Sequence, residues 1–250
     1  LKFKVEDITS LILRNRGIVG EADVHQFLNH KLEAVTLESV GIDLRQVELT
    51  IARINEAIKN QEQIIVYGDY DVDGITGAAI LWETLHALGA SAMPYIPHRV
   101  EEGYGLSIKG ITNLRLQYPD TKLIITVDNG IVANPAVDFA NEQKIDVIIT
   151  DHHVSAGEGK PHPEPLVQGE GKGNPQALAI VHMTKLCGAG VAWLLAKELK
   201  SAGIPDHDRG SIKMDSNDNE VDDLLELAAL GTIADLVPLT GANRTIVTYG

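Results

Sequence analysis

With a single cysteine, Cys187, the chain can form no intrachain disulfide, which fits a reducing cytoplasm. No apolar run approaches the roughly 18–20 residues that a membrane span needs, so no membrane association is expected. There is no signal peptide and no initiator Met. The chain opens on Leu1 and stops at Gly250 just after a strongly patterned stretch, so it reads as part of a longer protein. Positive charge is scarce, with 21 Lys and Arg against 35 Asp and Glu and a net charge of −14. On its face that disfavours non-specific binding to nucleic acid, whose affinity rests on Lys and Arg. Much of the acidity is local, however. Asp206, Asp208, Asp215, Asp218, Glu220, Asp222 and Asp223 crowd one polar segment, and composition leaves the partner open. No internal repeat is present. The hydrophobic share of 44% and charged share of 22% are those of an ordinary globular protein with one sizeable core.

Up to residue 61 the sequence reads as a small helical region. Val47, Ile51, Ile54 and Ile58 share one helical face, and shorter helices are expected around Ile12-Leu13 and Phe27-Leu28. From Gln63 strands and helices alternate. Strands are expected at 64–67, 93–96, 123–127, 146–150 and 177–182, and helices at 75–88, 108–118, 135–143, 190–202 and 221–234. Such alternation predicts an α/β fold, a mainly parallel sheet with helices on both faces, over residues 62–250. The Gly/Pro-rich stretch 155–175 is expected to be a long loop.

Three expected strands end in carboxylates. Ile64-Ile65-Val66 runs into Asp69-Tyr70-Asp71-Val72-Asp73-Gly74, Leu123-Ile124-Ile125 into Asp128-Asn129-Gly130, and Val147-Ile148-Ile149 into Asp151-His152-His153. Ligands of open α/β sheets bind beyond the carboxyl ends of the strands, so the fold would converge these groups. Read as locally extended, the Asp-x-Asp-x-Asp run turns alternate carboxylates the same way, and Thr76 is a candidate cap for the helix that follows. Taken singly, each motif has a plain reading as a turn, a helix cap or a surface pair. Together they point to divalent metal, and histidine mixed with carboxylate suits manganese and its neighbours. Two cations about 3.5–4 Å apart are a common arrangement for phosphoester hydrolysis. Two segments are candidates to hold phosphate. Arg99 with Glu102-Gly103-Tyr104-Gly105 offers a cation and a stacking ring, or else is an exposed glycine turn. Cys187-Gly188-Ala189-Gly190 opens a helix, so its glycines either offer amides to a phosphate or allow close helix packing.

The strings VYGDYDVDGITG, IPHRVEEGYGLS, TVDNGI, ITDHH, GAGVAW and LGTIADLVPL occur in an order that resembles the DHH phosphoesterase superfamily. The likeness is strongest to its branch of single-strand-specific 5′→3′ DNA exonucleases of repair and recombination. RNRGI and FLNHKL extend it into the helical region. The resemblance implies two divalent cations, with manganese favoured over magnesium. It implies Asp71, Asp73, Asp128, His152 and Asp235 as ligands, with Asp69 in or beside the shell and Asp128 bridging. His153 would face the substrate phosphate, Asp151 would orient the histidines, and Arg99, Tyr104, Gly105, Gly188 and Gly190 would contact substrate. Single-stranded DNA is the implied partner, with a single-stranded-DNA-binding protein or a helicase as further partners, and the chain is expected to be a monomer.

Three departures stand out. Tyr67 occupies a position where many members carry histidine, which leaves one cation with fewer ligands. Val181-His182-Met183 stands where an Asn-Pro pair is usual, and the acidic segment before Val221 is long. The second domain and the oligonucleotide-binding fold that complete such enzymes are absent from this sequence. Two other functions fit the motifs less fully. One is a phosphodiesterase of short oligonucleotides or cyclic dinucleotides, and the other is a non-catalytic replication scaffold.

Overall fold

A computed structural model describes residues 5–155, 175–202 and 224–250. The expected acidic segment 205–223 and nearly all of the loop 155–175 lie outside the described residues, as does the start of the helix expected at 221.

Helices α1 (Val5–Asn15) and α2 (Glu21–Leu28), a 3-10 turn (Leu32–Ala34) and α3 (Leu37–Val40) lead into α4 (Leu44–Lys59). Then come β1 (Gln63–Tyr67), α5 (Val72–Ala87), β2 (Ser91–Tyr95), α6 (Arg99–Glu102), α7 (Ile108–Gln117), β3 (Thr121–Val127), α8 (Asn134–Glu142) and β4 (Asp146–Asp151). The chain continues through β5 (Ala179–His182), α9 (Gly188–Ser201), α10 (Leu225–Ala234) and α11 (Gly241–Tyr249). All five strands pair in parallel, in the order β2-β1-β3-β4-β5.

Ile64, Ile65, Val66 and Tyr67 are all fully buried, as a strand covered on both faces requires. On one face Ile64, Val66, Leu123 and Ile125 share a core with α4, α5, α9 and α10. On the other, Ile65, Ile124, Val147 and Ile149 pack with Ile111 and Leu114 of α7 and Val137 and Ala140 of α8. Helices therefore flank both faces, as the alternation predicts. The strand order reverses between β1 and β3. In a doubly wound sheet that reversal opens a crevice at the carboxyl ends of the two strands, and the first two carboxylate motifs lie there.

Two helix starts fall earlier than expected, for one reason. Asp71, not Thr76, caps α5, its Oδ1 accepting from Gly74 N at 2.9 Å. Thr76 lies inside the helix and its hydroxyl donates to Val72 O. The aspartate run is thus not an extended segment: Asp69 is in the loop, Asp71 is the cap and Asp73 lies in the first helical turn. Likewise Cys187 caps α9, its Sγ accepting from Gly190 N at 3.3 Å, so the helix begins at Gly188 rather than Gly190.

Candidate metal centre

The three motifs meet at the crevice. Asp128 follows β3 in the left-handed region (φ 63°), with Gly130 also at positive φ. A non-glycine residue rarely adopts this backbone, and it recurs where the surrounding structure imposes it at functional positions. Here the turn is over-determined. Asp128 N donates to Thr150 O, Thr126 Oγ1 donates to Asn129 O, and Asn129 Nδ2 donates to Val127 O. The carboxylate is only 2% exposed.

Around it the candidate ligand atoms form three groups, each with its members within 4.8 Å of one another: Asp69 with Asp71 and Asp128, Asp73 with His152 and Asp235, and Asp128 with His152 and His153. The aspartate run is therefore split. Asp69 and Asp71 fall on one side of Asp128, while Asp73 falls on the other with Asp235, which ends α10. Asp128 and His152 connect the two sides. His152 Nε2 lies 3.0 Å from Asp128 Oδ1, 3.7 Å from Asp235 Oδ2 and 3.8 Å from Asp73 Oδ2.

Whether these residues suit divalent cations is decided by their loose atoms. Asp128 Oδ1, His152 Nε2 and Asp69 Oδ2 are all buried and make no hydrogen bond of acceptable geometry. The close Asp128–His152 approach is thus a proximity without donation. Buried polar atoms are normally satisfied, and three unsatisfied ones facing a carboxylate cluster suit a role as cation ligands. Charge supports the same conclusion. Burial, then the Asp73 carboxylate, push the Asp128 carboxyl well above the usual range. Burial raises Asp69 to about 6 and also raises Asp235, helped by Asp73. Carboxylates gathered this closely out of water either take up protons or are neutralised by a bound cation, and a divalent ion is the partner that lets all of them ionise. Asp69, expected in or beside the shell, is fully buried and stands in the same group of candidate ligand atoms as Asp71, which is exposed.

Asp151 stands behind this cluster. It accepts from Ile131 N at 2.8 Å, from His152 N at 2.7 Å, and from His153 N and Nδ1 at 3.1 and 2.8 Å. Burial works to raise its carboxyl, but the His153 bond and charge outweigh it and hold it down at about 2. An ionised Asp151 only accepts, so His153 Nδ1 carries the proton and Nε2 is turned to the other side. There it meets the Tyr104 hydroxyl at 3.4 Å. His153 itself is raised, the Asp151 contact overcoming burial. Next to the motif, His182 Nε2 lies 2.6 Å from His153 O, so the residue standing where an Asn-Pro pair was expected braces the histidine turn.

The glycines of α9 have a different role from the phosphate contact expected of them. Gly188 N and Ala189 N donate to the two oxygens of Asp73 at 2.6 and 2.8 Å, and Gly190 N is taken by Cys187. None of these amides is left for a phosphate. Gly188 is glycine because of proximity: a Cβ there would lie 2.5 Å from Asp128 Cβ. Gly231 of α10, which the sequence reading did not single out, is in the same position, with Asp73 Oδ1 2.6 Å from where its Cβ would be. Tyr67 turns away from the cluster, its hydroxyl donating to Gly105 O.

On the rim, Tyr104 is half-exposed and Arg99, at the start of α6, is exposed. Tyr70, also passed over in the sequence, links them. Arg99 Cζ sits 4.5 Å from the Tyr70 ring centre, and the Tyr70, Tyr104 and His153 rings follow edge to face. Gly105 is buried at positive φ beside Asn129.

Residues 63–232 match the model of the DHH family, N-terminal domain. The chain belongs to the DHH family. It is similar to the single-stranded-DNA-specific exonucleases RecJ of Bacillus subtilis (40% identity, 79% of this chain and 22% of that protein) and Thermus thermophilus (39%, 84% and 28%). Among solved structures, that of the Thermus thermophilus RecJ in complex with Mn2+ aligns at a TM-score of 0.66, with 30% identity over 96% of this chain and 30% of the other. A manganese-bound exonuclease RecJ aligns at 0.62 with 36% identity, covering 82% and 46%. This DHH chain thus spans between 22% and 46% of the length of these relatives. No helix among the described residues is long and apolar enough to cross a membrane.

Proposed function

We propose that this DHH chain carries the catalytic centre of a two-metal phosphodiesterase that removes nucleotides from single-stranded DNA in the 5′→3′ direction. The observation that carries the reading is the position of Asp128, buried with its Oδ1 unsatisfied between the Asp69–Asp71 side and the Asp73–His152–Asp235 side. Single-strand specificity is supported by the relatives' names, and polarity by the resemblance of the motifs. Two divalent cations held by these residues would supply Lewis-acid charge and a hydroxide available at neutral pH.

The chain's own groups have distinct tasks. Asp128 joins the two sides, Asp73 is fixed by the α9 amides, and Asp69 and Asp71 complete the outer side. Asp151 keeps a proton on His153 Nδ1 and favours the charged ring, and in that imidazolium form His153 Nε2–H is the donor to the phosphate or the departing oxygen. Tyr104 and Tyr70 offer stacking faces and Arg99 a phosphate contact. The mix of histidine and carboxylate favours manganese over magnesium, and manganese- and magnesium-bound RecJ structures of Thermus thermophilus are both among the similar structures. We assign the helical region to residues 1–61 and the DHH domain to 62–250. The single buried cysteine supports a cytoplasmic setting. Single-stranded-DNA-binding protein or a helicase as partner, and a monomeric state, rest on the resemblance alone.

The test is digestion of 5′- and 3′-labelled single and double strands by the full-length protein with Mn2+ or Mg2+. Metal-dependent release from the 5′ end of single strands is expected, with Asp128→Ala slower on the order of 10³-fold. Products confined to di- and trinucleotide substrates would overturn the exonuclease reading. Undiminished activity of Asp128→Ala would overturn the two-metal reading.

A further inference from the structure

The segment from His98 to Ser107 carries both Arg99 and Tyr104, yet it is short, glycine-containing and largely exposed. Such a segment needs an external support if it is to present two side chains in fixed places. Its fastenings converge on two buried or half-buried points. The Glu102 carboxylate accepts from the Tyr95 hydroxyl at 2.8 Å and Asn113 Nδ2 at 2.6 Å on one oxygen, and from His98 N at 3.2 Å on the other. The Tyr67 hydroxyl donates to Gly105 O at 3.2 Å, and the Tyr67 and Tyr95 rings lie 5.3 Å apart at 30°. On the far side Leu106 N donates to Asn129 Oδ1, whose amide nitrogen reaches Tyr67 O. One arm is therefore anchored to β1, to β2 and to the turn that holds Asp128.

We infer that Tyr67, Tyr95 and Glu102 are positioning residues for substrate, holding the 99–105 arm so that Arg99 and Tyr104 stand over the carboxylate–histidine cluster. This rests on the proposed reading of that cluster as a nuclease centre. It also gives Tyr67 a role of its own. A side chain at the end of β1 that bears on the arm rather than on the cluster trades one potential ligand for a rigid substrate wall. The space agrees: a Cβ at Gly110, in the first part of α7, would collide with the Tyr67 hydroxyl.

The test uses Tyr67→Phe and Glu102→Gln in the full-length protein, assayed on a single-stranded oligonucleotide and on bis(p-nitrophenyl) phosphate, which is too small to span the arm. Loss of one such bond is expected to raise KM for the oligonucleotide roughly three- to tenfold with kcat little changed. Turnover of the small diester and Mn2+ affinity by calorimetry should stay at wild-type values. On an Arg99→Ala/Tyr104→Ala background, Tyr67→Phe should add nothing further. Amide hydrogen exchange over residues 103–106, read without turnover, should quicken in Tyr67→Phe while exchange in β1 and β3 does not. Unchanged oligonucleotide KM with unchanged exchange overturns the inference, as does an equal loss on both substrates, which would mark general damage. If the wild-type protein hydrolyses neither substrate, the nuclease reading fails and the exchange measurement alone decides whether the arm is held this way.

Discussion

Asp128 combines three costs in one residue: left-handed backbone, near-complete burial, and a carboxylate among carboxylates. Such a position works against the stability of the metal-free protein and for its function. Asp128→Asn keeps the shape and removes the charge. We expect the metal-free variant to be more stable by about 1 kcal/mol, some 2–4 °C for a chain of this size. The increase in melting temperature that Mn2+ gives the parent should disappear. A metal-free melting point equal to or below the parent's would show that the cluster is not strained by its charges. The two α9 glycines give a second contrast. Gly188→Ala places a methyl against Asp128 and should destabilise by about 1–3 kcal/mol, with activity lost alongside. Gly190→Ala meets nothing nearer than Leu186 Cβ at 3.5 Å and removes a flexible residue from a helix, so stability should hold or rise by up to about 1 kcal/mol. If amides of this turn received a phosphate, both substitutions would lower activity.

Among elements, those with a strong period were legible and their ends were not. The apolar runs of β1, β3 and β4 specify buried strands in any context, and Val47, Ile51, Ile54 and Ile58 specify one face of α4. The first turns of α5 and α9 were placed late because their caps are read only from geometry. Asp69, Asp71 and Asp73 are chemically alike in sequence, and which one caps decides which side of Asp128 each occupies. Asp235 was visible only through family resemblance, since a lone aspartate at a helix end has many ordinary explanations. Gly231 and Asn129 stand inside quoted strings with no role of their own, because their importance lies in the partner that another element brings near. Cys187 shows how such caps are buried between elements. Its sulfur meets Thr232 Oγ1 of α10 at 3.3 Å, and burial drives its thiol far above the usual range. A neutral, enclosed thiol is inert. Thiol reagents should therefore leave Cys187 unlabelled in the folded protein, and the labelling rate should track the opening of α9 against α10. Rapid labelling under native conditions would show that this pair, and with it the seat of Asp73, opens easily.

For the whole molecule, the change from helices to strand–helix alternation near residue 61 is a change of element type, and the core does not divide there. Val35, Leu37, Val47, Ile54, Ala57 and Ile58 belong to the same buried cluster as Ile64, Val66 and Leu123. Arg53, 9% exposed, joins α4 to the sheet through Asp146 at 2.6 Å and Glu62 at 2.7 Å. Gln46 Oε1 accepts from Ile180 N at the edge strand. Burial of Val47, Ile54 and Ile58 alone stabilises by roughly 4.5–9 kcal/mol, at about 1.5–3 for each. The net stability of a typical domain is only about 5–15 kcal/mol, so the sheet cannot lose α4 and remain folded. A chain that starts at Val35 should keep a cooperative thermal transition by circular dichroism, whereas one that starts at Gln63 should show none. Arg53→Ala, which leaves Glu62 and Asp146 without their cation, should cost about 1–3 kcal/mol, less than a fully buried pair would because Asp146 is half-exposed. A Gln63 start that melted cooperatively near the parent temperature would show that the crevice at the carboxyl ends of β1 and β3 is supported by the sheet and its later helices alone. Failure of that truncation would make α4 as much a part of the support of the carboxylate–histidine cluster as the strands that carry it.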